Sequence, residues 1–208
     1  MTATLPRLLV LTDRRQADRP LVQVVRAAID GGARAFVLRE KELPRNERER
    51  LAEELRTLLR PVNGVLLTAS DATLPGDGVH LASRDPFPTS LPRPELVGRS
   101  CHDAQELAGA VAEGCAYATL SPIFATDSKP GYGPALGTDA LAALVTKVAV
   151  PTYALGGISA DNAPACLAAG AFGIAVMGAV MRAAHPDRAV AALLAALGHV
   201  RSAGIGAT

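Results

Sequence analysis

Directly after the apolar run Ala35-Phe36-Val37-Leu38, the residues Arg39-Glu40-Lys41 set two cations either side of an acid. Arginine offers a planar fork of donors and lysine a compact charge, so the pair suits a clamp on an anion such as a phosphate. A solvated ion-pair cluster with Glu49 would use the same residues. In the stretch Ala125-Thr126-Asp127-Ser128-Lys129-Pro130-Gly131-Tyr132-Gly133-Pro134, Thr126, Ser128 and Lys129 stand on a Gly/Pro-rich backbone. Two hydroxyls, an ammonium and open amides suit a loop that closes over phosphate oxygens. Gly156-Gly157-Ile158 and Gly178-Ala179 each follow an apolar run. There glycine lets backbone N–H groups come close to an anion.

Asp85, just before Pro86, could hold a divalent cation that bridges phosphates, or simply cap a turn. Asp13, His80, Ser100 and His102 also fall at or near the ends of apolar runs. A satisfied structural histidine is weighed against a ligand-binding one at both His80 and His102. His185 and His199, beside or on the last helical pattern, read as surface residues, and Asp161 or Asn162 as a helix cap.

The elements that must position these residues follow from periodicity. Eight short apolar runs are predicted as strands: Leu8–Leu11, Ala35–Leu38, Gly64–Leu67, Val79–Leu81, Leu96–Gly98, Tyr117–Leu120, Thr152–Leu155 and Gly173–Met177. Between most of them lie helical faces. Leu21, Val24, Val25 and Ala28 follow the i, i+3, i+4, i+7 spacing. Asn46 and Glu49 have the spacing of a capping box for the next helix, which Pro61 ends. Leu141, Leu144, Val145 and Val148 give a later face, and Val190, Leu193, Leu194 and Leu197 the last. The link between the third and fourth strands is only about ten residues, too short for a helix with two loops.

This pattern predicts an α/β fold, a single-domain (β/α)8 TIM barrel over residues 1–208 with an abbreviated third helical connection. An open doubly wound sheet competes, but no Gly-x-Gly-x-x-Gly follows the first strand. In a barrel the polar residues named above share the C-terminal ends of the strands, where such folds place their sites. The opposite ends carry nothing comparable.

Composition narrows the partners. Of 208 residues 49% are hydrophobic but only 3% aromatic, with no tryptophan, which predicts an aliphatic core. Net charge is +1, from 21 basic and 20 acidic residues, with no basic run, so nucleic acid is not an expected partner. No apolar stretch approaches the roughly 18 residues of a membrane span. The first apolar run is too short for a signal peptide, and Cys101, Cys115 and Cys166 form no ligand motif. A cytoplasmic protein is expected, with self-association left open.

Taken in order, several motifs resemble the thiamine phosphate synthase and thiazole tautomerase superfamily over almost the whole chain. They are Leu11-Thr12-Asp13, Leu38-Arg39-Glu40-Lys41, Asp77-Gly78-Val79-His80-Leu81, Gly98-Arg99-Ser100-Cys101-His102, the stretch from Ser121 to Lys129, Gly156-Gly157-Ile158 and Ile174-Ala175-Val176-Met177. The resemblance implies a transferase of thiamine biosynthesis that couples hydroxymethylpyrimidine pyrophosphate to thiazole phosphate, assisted by Mg²⁺. It implies that Arg39 and Lys41 grip the pyrophosphate, that Ser100 supports the leaving group, and that Thr126, Ser128 and Lys129 close over the phosphates. It further implies Asp85 as a metal ligand, and Gly157 with the turn at Gly178 as the seat of the thiazole phosphate; His80 is counted with the substrate-binding residues.

Three positions depart from the synthase pattern. Thr68-Ala69-Ser70-Asp71 stands where an Asn-Asp pair is usual, so Asp71 would have to serve the metal by a register shift. Val37 replaces a glutamine, and Gly178 a serine. These departures keep two alternatives in view: a tautomerase-like isomerase, with His80 or His102 moving the proton, and a non-catalytic barrel that binds phosphorylated ligands.

Overall fold

The computed structural model describes residues 5–89, 94–126 and 134–199. Eight strands form one parallel ring: β1 (Leu8–Leu11), β2 (Ala35–Leu38), β3 (Val65–Ala69), β4 (Gly78–Leu81), β5 (Leu96–Cys101), β6 (Tyr117–Leu120), β7 (Thr152–Leu155) and β8 (Gly173–Val176). Val10 of β1 lies opposite Phe36 of β2 on one side and Val176 of β8 on the other, so the sheet is closed. Closure excludes the open doubly wound sheet.

The two-residue period of the strands sorts their side chains into two layers. Leu9, Leu11, Ala35, Val37, Leu67, Ala69 and Ala175 gather with Tyr117 and Tyr153 inside the ring. Their chain neighbours Leu8, Val10, Phe36, Leu38, Leu66 and Ile174 belong to a separate cluster shared with the helices. Both layers are mainly aliphatic, as composition predicts, but the inner one is built around two tyrosines. Inside, Tyr117 and Tyr153 meet edge to face at 5.5 Å, Phe172 continues the column at 5.3 Å, and His80 stacks on Tyr117 at 5.6 Å. A few large rings suffice to fill so narrow a barrel.

Helices cover the ring: α1 (Leu21–Asp30), α2 (Arg45–Leu59), α3 (Ala104–Ala112), α4 (Gly137–Val145), α5 (Ala163–Ala168), α6 (Gly178–Met181) and α7 (Pro186–His199). The four α1 residues expected to face the core are buried. Asn46 is not a cap: α2 begins one residue earlier, with Pro44 at the cap position and no side-chain bond. The fixed φ of proline sets that entry instead. Val148 lies beyond α4, packing on the core from the turn that follows.

Among the described residues no helix lies between β3 and β4, as expected, and none between β4 and β5 either. The second shortening follows from Pro86 and Pro88, which deny the segment helical hydrogen bonds. The β3–β4 link is closed by polar contacts. Asp77 accepts from the Leu66 N–H at 2.8 Å, and the buried Thr68 hydroxyl donates to the Asp71 carbonyl at 2.7 Å. No helix of the described residues is long and apolar enough to cross a membrane.

Gly98 marks the tightest point of the interior. A Cβ there would lie 2.0 Å from Cζ of the fully buried Tyr117. Gly98→Ala should therefore lower unfolding free energy by about 1–3 kcal/mol, the usual cost of overpacking. Urea denaturation checks this, and an unchanged midpoint would mean that the ring can step aside.

Candidate active site

At the C-terminal ends of the strands the ring opens into a cavity of about 470 Å³. Its floor is apolar, from Leu11, Ala69, Leu155 and Ala175, and its walls carry Arg39, Lys41, Arg182, His80 and His102. Among the described residues that line it there is no aspartate or glutamate. Three permanent cations facing one hollow make a site for anions.

Arg39 and Lys41 leave β2 in different directions. The Arg39 guanidinium reaches across to Met177, with Nη1 2.7 Å from its Sδ, while its backbone N–H donates to the Thr12 hydroxyl at 3.1 Å. Lys41 turns towards β3 and donates to the Ser70 Oγ at 2.5 Å. Ser70 in turn donates to Asp85. Ser70 has φ of 61°, a left-handed conformation unusual for a residue with a side chain, and it lies at the end of β3. Burial lowers the Lys41 pKa, although Asp85 opposes this. Between them, Glu40 is buried and accepts from the Arg14 N–H at 3.1 Å, and burial raises its pKa. Glu40 thus ties the end of β2 to the loop after β1 and does not face the cavity.

Asp85 sits one layer behind the lining. Its Oδ2 accepts from the Ala82 N–H at 2.7 Å as well as from Ser70. Burial alone would raise its pKa, but these bonds and the charge of Lys41 hold it below the usual carboxylate range. Arg99 fixes this loop, donating through Nη1 to the carbonyls of Ala82, Ser83 and Asp85, each at 3.0 Å. Its Nε pairs with Glu113 at 2.7 Å.

Asp71 is placed elsewhere. It pairs with Arg45 at 2.8 Å and accepts from the Thr73 backbone and hydroxyl. Like Asp85 it is not among the described lining residues. Among the described residues no group of three or more His, Cys, Asp or Glu could hold a metal. The donor set thus suits a cation that arrives on phosphate oxygens and meets one carboxylate, Asp85; it does not suit a closed metal centre.

Deeper in, His80 is buried at the end of β4, with Nδ1 2.7 Å from the Tyr117 hydroxyl and Nε2 2.9 Å from the Ser100 Oγ. Burial, together with Arg39 and Lys41, pushes its pKa down to about 3. It is a neutral ring that orients Ser100. His102 also lines the cavity, and its Nδ1 lies 3.0 Å from Glu106.

On the far wall, Gly156 and Gly157 have φ of 98° and 63°. Asn162 stands at the N-cap position of α5, as expected, but its side chain makes no capping bond and clasps this turn, donating to the Gly157 carbonyl at 2.9 Å and accepting from the Ser159 N–H at 2.8 Å. The segment after β6 docks on the same turn through the Phe124 N–H to the Gly156 carbonyl at 3.0 Å. Thr126, Gly157 and Gly178 line the cavity, whereas Ser128 and Lys129 lie outside the described residues.

The residues Arg39, Lys41, His80, Ser100, Thr126, Gly157 and Gly178 are thus brought to one hollow. Sequence reasoning missed Ser70 as the link from Lys41 to Asp85, Tyr117 as the partner of His80, and Arg182. Only Arg182 had a readable signal: it stands four residues after Gly178, on the same face of a helical turn.

Comparison with known proteins agrees with this geometry. The family described as thiamine monophosphate synthase matches residues 8–180. A thiamine-phosphate synthase of Roseiflexus castenholzii is 36% identical over 88% of this chain and 85% of its own. One of Moorella thermoacetica is 37% identical over 84% and 87%. The solved thiamine phosphate pyrophosphorylase of Pyrococcus furiosus superposes with a TM-score of 0.84 at 31% identity, covering 93% of this chain and 96% of that one.

The state of His80 has a consequence for stability. Its folded pKa, about 3, lies below the ordinary 6.5, so on acidification the unfolded chain takes up this proton first. The stability owed to neutral His80 is complete above pH ~6.5 and is lost as pH falls towards 3. His80→Gln should flatten that acid limb in urea titrations at stepped pH. An unaltered pH dependence would show that His80 is not held neutral.

Proposed function

The chain belongs to the thiamine monophosphate synthase family, and we propose that its cavity holds hydroxymethylpyrimidine pyrophosphate and thiazole phosphate together, releasing pyrophosphate as the two rings join. The enzyme is a transferase of the thiamine-phosphate synthase type. The observation that supports the substrate reading is the lining itself: three cations, no carboxylate among the described residues, and an apolar floor that suits planar rings.

The chemistry asks little of acids or bases. The bond from the pyrimidine methylene carbon to the pyrophosphate oxygen breaks, and its electron pair leaves with the pyrophosphate. The thiazole nitrogen then donates its lone pair to the stabilised cation. No proton has to move, so the work is positioning and charge neutralisation. Lys41 and Arg39 take the departing oxygens, with Lys41 already partly desolvated towards an anion. Ser100, oriented by the neutral His80, meets the pyrimidine end of the leaving bond. Gly157 presents close backbone to the thiazole phosphate, and Thr126, with Ser128 and Lys129 beyond it, serves closure over the phosphates.

A Mg²⁺ ion bound with the pyrophosphate would neutralise part of its charge, with Asp85 as its protein ligand. Asp71, tied to Arg45, supports no such role here. His80 has both ring nitrogens engaged, which gives the tautomerase alternative no proton carrier at that position. The three cysteines are free and buried, in keeping with a reducing cytoplasm.

Pyrophosphate release should match thiamine phosphate formation mole for mole, and should require both substrates and Mg²⁺. Folded protein that yields neither product would refute the synthase reading. Asp85→Asn should raise the Mg²⁺ concentration giving half-maximal rate by about tenfold or more, on the scale of one lost charged contact. An unchanged Mg²⁺ titration would remove Asp85 from the metal site.

A further inference from the structure

We propose that Met177 is a site of reversible oxidation by peroxide, at which sulfoxide formation withdraws Arg39 from the pyrophosphate; the effect on turnover rests on the synthase reading above. The first observation is the placement of the sulfur. Met177 directly follows β8 and is fixed by its own turn, its carbonyl accepting from the N–H groups of Val180 and Met181 at 3.1 and 2.9 Å. From there its partly buried side chain lines the cavity, and its Sδ receives the Arg39 guanidinium.

The second observation is selectivity. A small neutral oxidant entering the hollow meets no other sulfur among the described lining residues. Met181 is 1% exposed, and Cys101, Cys115 and Cys166 are all buried. Burial also raises the pKa of each thiol, to about 12 at Cys101 and about 11 at Cys166, so reactive thiolate is scarce at neutral pH. A thioether reacts without first losing a proton.

The step balances with hydrogen peroxide as the oxidant. A sulfur lone pair attacks one peroxide oxygen, the O–O bond breaks, and a proton crosses to the departing hydroxide. The products are the sulfoxide and water. Reduction by a methionine sulfoxide reductase with a dithiol reverses it, giving the thioether, a disulfide and water.

The consequence falls on Arg39. A thioether is a weak acceptor, so the guanidinium can leave Met177 for phosphate oxygens at little cost. A sulfoxide oxygen is a stronger one, and a charge-assisted bond to it competes with the anion for the same fork. The added oxygen also makes an apolar part of the lining polar.

Full-length wild type and Met177→Leu, each with and without dilute hydrogen peroxide, are mapped by peptide fragmentation and titrated with inorganic pyrophosphate plus Mg²⁺. In the wild type one added oxygen should appear on Met177 before any on Met181 or the cysteines. Pyrophosphate affinity should then fall by about tenfold or more, the scale of one charged hydrogen bond, and return after the reductase. In Met177→Leu the treated and untreated affinities should agree within about twofold. Oxygen reaching Met181 or a cysteine first would overturn the site. Unchanged affinity on oxidation of Met177, no recovery with the reductase, or equal loss in Met177→Leu would overturn its role. Untreated protein that binds pyrophosphate but forms no thiamine phosphate would sink the synthase reading instead, and the same titration would still decide Met177.

Discussion

Eight strands of four to six residues can close on themselves only if the space inside is filled, and here two tyrosines fill much of it. Tyr117 lies against the bare Cα of Gly98, Tyr153 against Tyr117, and the Tyr153 hydroxyl donates to the Pro6 carbonyl at the far end at 2.6 Å. The column also serves the site. Its upper hydroxyl, on Tyr117, engages His80, and His80 engages Ser100. Core packing and the polar wall at His80 and Ser100 are one continuous stack, so a change in ring position below would be felt by the hydroxyl above.

Above that stack the charges are layered. Arg39, Lys41 and Arg182 face the hollow, while Asp13, Glu40 and Asp85 stand one residue behind. Like charges so near one another repel, and burial adds its own cost on Lys41. The acids behind them relieve part of that cost without occupying the space an anion would take. Interactions in such a sheltered hollow are screened less than at an open surface. The arrangement favours ligands that bring negative charge, and more so when two arrive together.

Much of the fold was legible because period-two runs and period-3.6 faces alternate so regularly from Leu8 onward. The second helix-free link was not, because Pro86 and Pro88 act by withholding hydrogen bonds, which apolar periodicity does not register. The aromatic interior was hidden by composition: a low aromatic fraction says nothing of where two tyrosines sit. At the site, the strand-end positions of Arg39, Lys41, Ser100 and Gly157 followed from topology alone. Side-chain direction did not. Asp71 and Asp85 looked alike as carboxylates near short loops, yet one turns to Arg45 and the other to Ser70. Arg182 was overlooked because its relation to Gly178 depends on a helical turn of only four residues.

The central claim is that one hollow lined by cations seats two separate anions at opposite walls. It is tested most directly by titrating thiamine phosphate, with Mg²⁺ present, into protein already saturated with inorganic pyrophosphate. The account predicts a ternary complex, with one molecule of each ligand per chain and an affinity for thiamine phosphate no weaker than without pyrophosphate. Mutually exclusive binding would mean a single anion site, and would contradict it.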